Sequence, residues 1–134
     1  MTTLITGAGM IGALAAARSM REQGERPVLY DIGFSAQNLE ERLAHDSVTM
    51  LKGDIGDIGD LLHAIDQHKI DRIIHTASFL TRDVIARPVA GVRVNLMGTL
   101  NVLEAARLSG GHRVVFCSST VVTMGRRSVE SGSD

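Results

Sequence analysis

The chain has 134 residues, 44% of them hydrophobic, with 14 Lys plus Arg against 15 Asp plus Glu and a formal net charge of −1. That length fits one domain, that apolar fraction excludes wholesale disorder, and so even a charge balance excludes the basic excess of a dedicated nucleic-acid or membrane-surface binder. The single cysteine, Cys117, excludes an internal disulfide and fits a reducing, cytoplasmic setting. No apolar run is long enough for a transmembrane helix, and residues 1–11 lack the basic start of a signal peptide. Aromatic residues make up only 3%, so the core must be aliphatic, which suits a parallel sheet covered by helices.

In chain order, Thr3–Thr6 reads as a short apolar strand running into Gly7-Ala8-Gly9-Met10-Ile11-Gly12. An Ala-rich helix then extends to about Gln23, with Gly24 as its stop. Residues 27–31 form a second strand, with Pro27 at the first position, where a missing ladder donor is tolerated. Residues 34–44 are polar and moderately helical, and residues 48–51 are a third strand. A helix is predicted over residues 57–67, because Ile58, Leu61, Leu62 and Ile65 recur at helical spacing. Asp57 or Asp60 suits its first turn, where a negative side chain is favourable. Arg72–His75 is a fourth strand. Pro88 interrupts the segment that follows. Val92, Leu96, Leu100 and Leu103 mark one face of a fourth helix over residues 92–109, stopped by Gly110-Gly111. Residues 114–117 are a fifth strand, and residues 126–134 form a frayed tail.

This alternation predicts an α/β fold, a doubly wound parallel sheet of the Rossmann type in three αβα layers, spanning residues 1–125. The expected strand order is 3-2-1-4-5, with ligand bound outside the carboxyl ends of strands 1 and 4.

The strongest motif is Gly7-x-Gly9-x-x-Gly12, because it follows a strand and opens a helix. Gly7 permits the tight turn, Gly9 lets a pyrophosphate approach the backbone, and Gly12 lets helix and strand pack closely. Amides at that helix start would hold the phosphates. Asp31 ends the second strand, where a carboxylate accepts the ribose hydroxyls of an adenosine and repels a 2′-phosphate. NAD is therefore favoured over NADP. After the third strand, Asp54 is placed to accept an adenine amino group and Ile55 to cover the ring. Asp54, Asp57 and Asp60 lack the terminal glutamate of a Ca²⁺ loop, so no metal is expected. His75 at a strand end reads as structural, and Cys117 as an inert buried thiol.

These pieces resemble the amino-terminal, cofactor-binding part of the extended short-chain dehydrogenase/reductase family, the NAD-dependent sugar epimerases and dehydratases. The matching stretches are Ile5-Thr6-Gly7-Ala8-Gly9-Met10-Ile11-Gly12, Gly53-Asp54-Ile55-Gly56-Asp57, His75-Thr76-Ala77-Ser78, and Asn95-Leu96-Met97-Gly98-Thr99-Leu100-Asn101-Val102-Leu103-Glu104-Ala105-Ala106. A fifth is Phe116-Cys117-Ser118-Ser119-Thr120, ending with Gly125. The resemblance implies that Met10 and Ile11 amides meet the pyrophosphate, and that Thr76, Ala77 and Ser78 line the cofactor. It implies that Asn95 supports the strand-4 loop and the active site, that Ser118 lies beside the nicotinamide, and that Thr120 contacts the substrate's reacting hydroxyl. A sugar-nucleotide or related substrate is implied for the intact protein, and a homodimer through the fourth helix. The fifth strand, as a sheet edge, offers a second surface for self-association.

Three departures stand out. The family's usual glycine spacing is one residue longer, and Met124 stands where a tyrosine commonly precedes the final glycine. The catalytic Tyr-x-x-x-Lys pair is absent: Tyr30 is the only tyrosine, and Lys52 and Lys69 are the only lysines. The expected reading is a cofactor-binding portion, ending before that helix and inactive alone. The alternative is a non-catalytic dinucleotide-binding regulatory module.

Overall fold

In the computed structural model the described residues are 1–34, 39, 43 and 48–120. The helix expected over residues 34–44, save Phe34, Leu39 and Leu43, lies outside them, as does the tail from residue 126.

The described elements are β1 (Thr3–Thr6), α1 (Met10–Gln23), β2 (Val28–Asp31), β3 (Thr49–Lys52), α2 (Ile58–Gln67) and β4 (Arg72–His75). They continue with α3 (Thr81–Ala86), α4 (Pro88–Gly91), a π-helical segment (Val92–Gly98), α5 (Thr99–Leu108) and β5 (Arg113–Phe116). The strands form one parallel sheet in the order β3-β2-β1-β4-β5, as the alternation of elements predicts. Strand ends differ from the expected ones by a residue: Pro27 and Val48 fall just before β2 and β3, and Cys117 just after β5.

Two apolar layers flank the sheet because successive strand residues point to opposite faces. Leu4, Val28, Tyr30 and Ile73 pack with Leu61, Ala64 and Ile65 of α2 and Val102, Ala105 and Ala106 of α5. Ile5 and Leu29 pack on the other side with Ala13 and Ala16 of α1, together with Leu39, Leu43 and Val48. Each fully buried Leu or Ile in these layers is worth about 1.5–3 kcal/mol over its exposed state. The alanines of α1 let that helix lie close to the strands. Asp57 caps α2, its carboxylate accepting the amides of Gly59 and Asp60.

Two expectations are corrected by the sheet and its covering helices. Val92, Leu96, Leu100 and Leu103 share a face as predicted, but it points outward, with each residue 47–54% exposed. Small residues and one valine face the sheet instead: Gly91, Gly98, Val102, Ala105 and Ala106 are buried. This segment carries two apolar stripes, and side-chain size decides which one approaches the strands. Cys117, expected to be buried, is exposed, because β5 is the sheet's edge strand and its residues are largely exposed.

Candidate functional site

All five strands run the same way, so their carboxyl ends share one rim of the sheet. A cleft of about 630 Å³ lies there, between the loops that follow β1, β2, β3 and β4. A volume of this size holds a small-molecule ligand. Its lining includes Gly7, Gly9, Met10, Ile11, Gly12, Asp31, Asp54, Ile55, Thr76, Ala77 and Ser78. The sequence-predicted residues from four separate stretches thus meet at one place. Asn95, Ser118 and Thr120 are not on the lining. Ser118 and Thr120 follow β5 on the same rim and are exposed.

The glycine loop is built by close approach. Gly7 has a φ of +92°, and a Cβ there would come within 2.7 Å of the Ala77 amide nitrogen. A Cβ at Gly12 would strike the Gly7 carbonyl. At Gly9 a Cβ would meet nothing within 4 Å, because this residue faces the open cleft. The first intrahelical bond of α1 is donated by Ala13 to the Gly9 carbonyl. The amides of Met10, Ile11 and Gly12 precede it, and such amides have no backbone partner in a helix. No acidic side chain of α1 sits in that first turn, where the positive end of a helix dipole favours an anion.

Side chains hold the loop from below. The Thr76 hydroxyl donates to the Thr6 carbonyl at 2.8 Å. Asp31 accepts the Ala8 amide at 2.6 Å through Oδ2 and the Gly33 amide at 3.0 Å through Oδ1. The carboxylate at the end of β2 is thereby tied to the glycine loop and lies at the edge of the cleft.

Sequence reasoning missed how the third loop is fixed. Tyr30 is buried, and its hydroxyl donates to Asp60 Oδ2 at 3.0 Å. The same oxygen accepts the Asp54 amide at 3.2 Å. Asp60 sits in the first turn of α2, as expected, and from there it also anchors the loop that carries Asp54. Burial first, then the bond to Asp60, holds the Tyr30 phenol well above its ordinary range. The chain's one tyrosine is a buried donor and no proton acceptor. Arg93 was also missed, and it lines the cleft beside Asp54.

The segment from Asn95 to Asn101 explains its own sequence. Asn95 accepts the Phe79 amide at 2.7 Å and donates to the Phe79 carbonyl at 2.9 Å, which pins the loop after β4. Gly98 leaves room for Ile55, whose Cδ1 would lie 2.5 Å from a Cβ there. Asn101 donates to the Ile55 carbonyl at 2.9 Å. Thr99 donates to the Asn95 carbonyl at 2.8 Å and lies 3.0 Å from His75 Nε2. Its one hydrogen is spent, so Nε2 donates to it, and Nδ1 accepts from Thr6, 2.6 Å away. This bonding assigns a neutral imidazole, and burial lowers the pKa of His75 in the same sense. His75 is structural, as its strand-end position suggests.

A parallel sheet in the order 3-2-1-4-5, with a glycine turn and a strand-end carboxylate at its carboxyl rim, defines a doubly wound α/β protein of the Rossmann type. Comparison with known proteins narrows this. The profile of the NAD dependent epimerase/dehydratase family matches residues 3–130, and the chain belongs to that family. Short-chain dehydrogenase/reductase family 42E member 1 of Mus musculus is 30% identical over 135 residues, covering 99% of this chain and 33% of that protein. A solved UDP-glucose 4-epimerase from Stenotrophomonas maltophila, with bound NAD and formylated UDP-arabinopyranose, superposes with a TM-score of 0.79 at 27% identity. That match covers 91% of this chain and 38% of the other. An L-threonine dehydrogenase from Clostridium difficile superposes with a TM-score of 0.78 at 26% identity, over 88% of this chain and 36% of that one. The chain spans about a third of the length of the first of these relatives.

Proposed function

We propose that this chain is the NAD-binding part of a sugar-nucleotide epimerase/dehydratase-like oxidoreductase, and that as the 134-residue chain it binds the dinucleotide without turning over substrate. One observation carries the reading: Gly9 opens onto the first-turn amides of α1 beside the Asp31 carboxylate. In this reading the Met10 and Ile11 amides hold the pyrophosphate. Asp31 accepts the adenosine ribose hydroxyls and repels a 2′-phosphate. Asp54 accepts the adenine amino group, Ile55 lies against the ring, and Thr76, Ala77 and Ser78 line the path toward β4. Asn95 holds the Phe79 loop in place. Ser118 stands beside the nicotinamide, and Thr120 meets the substrate hydroxyl. When bound, NAD supplies a hydride acceptor. This chain contains no Tyr-x-x-x-Lys pair, and its only tyrosine is committed to Asp60, so proton transfer from substrate needs groups it does not carry. The NAD held by the Stenotrophomonas maltophila epimerase supports the cofactor assignment. The reading includes a homodimer, through the outward face of residues 92–103 or the β5 edge.

Isothermal titration tests it. NAD and ADP-ribose are expected to give heat and a thermal shift, with NADP weaker. Asp31→Asn is expected to narrow the gap between NAD and NADP several-fold. Absence of heat and of a thermal shift with both NAD and ADP-ribose would overturn the reading.

A further inference from the structure

The expected site roles use Asp54 but leave its charged partner in the cleft, Arg93, without a role. Arg93, from the π-helical segment, donates from Nη2 to Asp54 Oδ2 at 3.1 Å. The other oxygen, Asp54 Oδ1, accepts the Gly56 amide at 2.7 Å. Both side chains line the cleft. A Cβ at Gly56 would lie 3.0 Å from Arg93 Nε, so the glycine gives the guanidinium room against the loop. Asp54 is fixed from two sides, and the Arg93 guanidinium stands next to its carboxylate. A carboxylate has about four acceptor sites and a guanidinium five N–H donors, so both groups keep capacity for a ligand.

Adenine presents an amino donor directly beside a ring-nitrogen acceptor. Asp54 and Arg93 present the complement, an acceptor beside a donor. We propose that Arg93 is a specificity-determining residue for the purine, its guanidinium donating to the ring nitrogen next to the amino group that Asp54 accepts. This deepens the NAD reading of the cleft and rests on it. The two side chains are 66% and 35% exposed, so solvent screens the pair. The expected effect is therefore at the low end for a charge-assisted hydrogen bond, about five- to tenfold in affinity.

The test titrates the unmodified chain, Arg93→Met and Arg93→Lys with NAD and with its 1-deazaadenine and 7-deazaadenine analogues. Thermal melts of each variant report folding. The unmodified chain is expected to bind NAD and to lose about five- to tenfold with one of the two analogues, which identifies the nitrogen. Arg93→Met is expected to lose a similar factor with NAD and nothing further with that analogue, while Arg93→Lys recovers part of the loss. If Arg93→Met does not fold, the comparison passes to Arg93→Lys, which keeps the charge and loses the planar fork. If the unmodified chain binds no dinucleotide, the NAD reading falls and this inference with it. If NAD binds equally to all three chains, or if the deaza losses are the same in the variants as in the unmodified chain, this inference alone is overturned.

Discussion

A single methyl group separates the duties of the three loop glycines. At Gly12 it would strike the Gly7 carbonyl, and at Gly9 it would enter open space. Gly12→Ala is therefore expected to cost about 2–3 kcal/mol of stability by overpacking. Gly9→Ala is expected to cost about 1 kcal/mol or less, as an alanine at a helix start, and yet to weaken dinucleotide binding. Thermal melts paired with NAD titration check both variants. The motif's spacing pointed to these roles, but only the loop's path assigns steric partners to Gly7 and Gly12 and leaves Gly9 facing the cleft. His75 gives a second test. Its neutral form is held by Thr6 and Thr99, and burial lowers its pKa from 6.5. Between the lowered value and 6.5 the unfolded chain binds more protons than the folded one. Its contribution is whole above pH 6.5 and is lost as pH falls below that. Denaturant midpoints measured from pH 7.5 to 5 are expected to fall, with a shallower slope in His75→Gln.

The element that organises the site is the helical run from Pro88 to Leu108, whose middle widens into a π-helical segment over Val92–Gly98. Such wide turns recur at functional sites. Here the run sends Arg93 and Val94 to the cleft while Asn95 reaches Phe79. Asn95→Ala would leave a backbone amide and carbonyl of Phe79 without their side-chain partner. The expected cost is about 1–3 kcal/mol, with faster amide exchange at Phe79, while Asn95→Asp keeps only the acceptor and rescues only the amide bond. Hydrogen-exchange mass spectrometry over residues 76–86 reads this directly. The similarity of residues 95–106 to a family signature was legible in the sequence. The reason for each residue type was not, because Phe79, Ile55 and His75 lie far from it along the chain and meet it only through the sheet.

For the whole molecule, the arrangement leaves apolar surface uncovered. Val92, Leu96, Leu100 and Leu103 form an outward stripe, and Val115 and Phe116 are exposed on the edge strand. Edge strands and exposed apolar stripes are both sites of association. On the proposed homodimer, sedimentation at rising concentration is expected to show self-association. Leu96→Glu with Leu100→Glu is expected to reduce it if the stripe is the contact, and to leave it unchanged if the β5 edge is. A monodisperse monomer across the concentration range would remove the proposal. Among the described residues no helix is long and apolar enough to cross a membrane.

The amino-acid sequence by itself determined the strand-helix alternation, the strand order, the glycine turn and the carboxylates that meet at the carboxyl rim. These follow from local periodicity and from the handedness of parallel crossovers, which short stretches of chain encode. Only the tertiary structure decided which stripe of the helical run from Gly91 to Leu108 faces the sheet, that Cys117 is exposed at an edge, that Asp60 anchors the Asp54 loop, and that Arg93 stands beside Asp54. Each of these depends on which distant residue occupies the neighbouring space, and the period of a helix or strand carries no record of that.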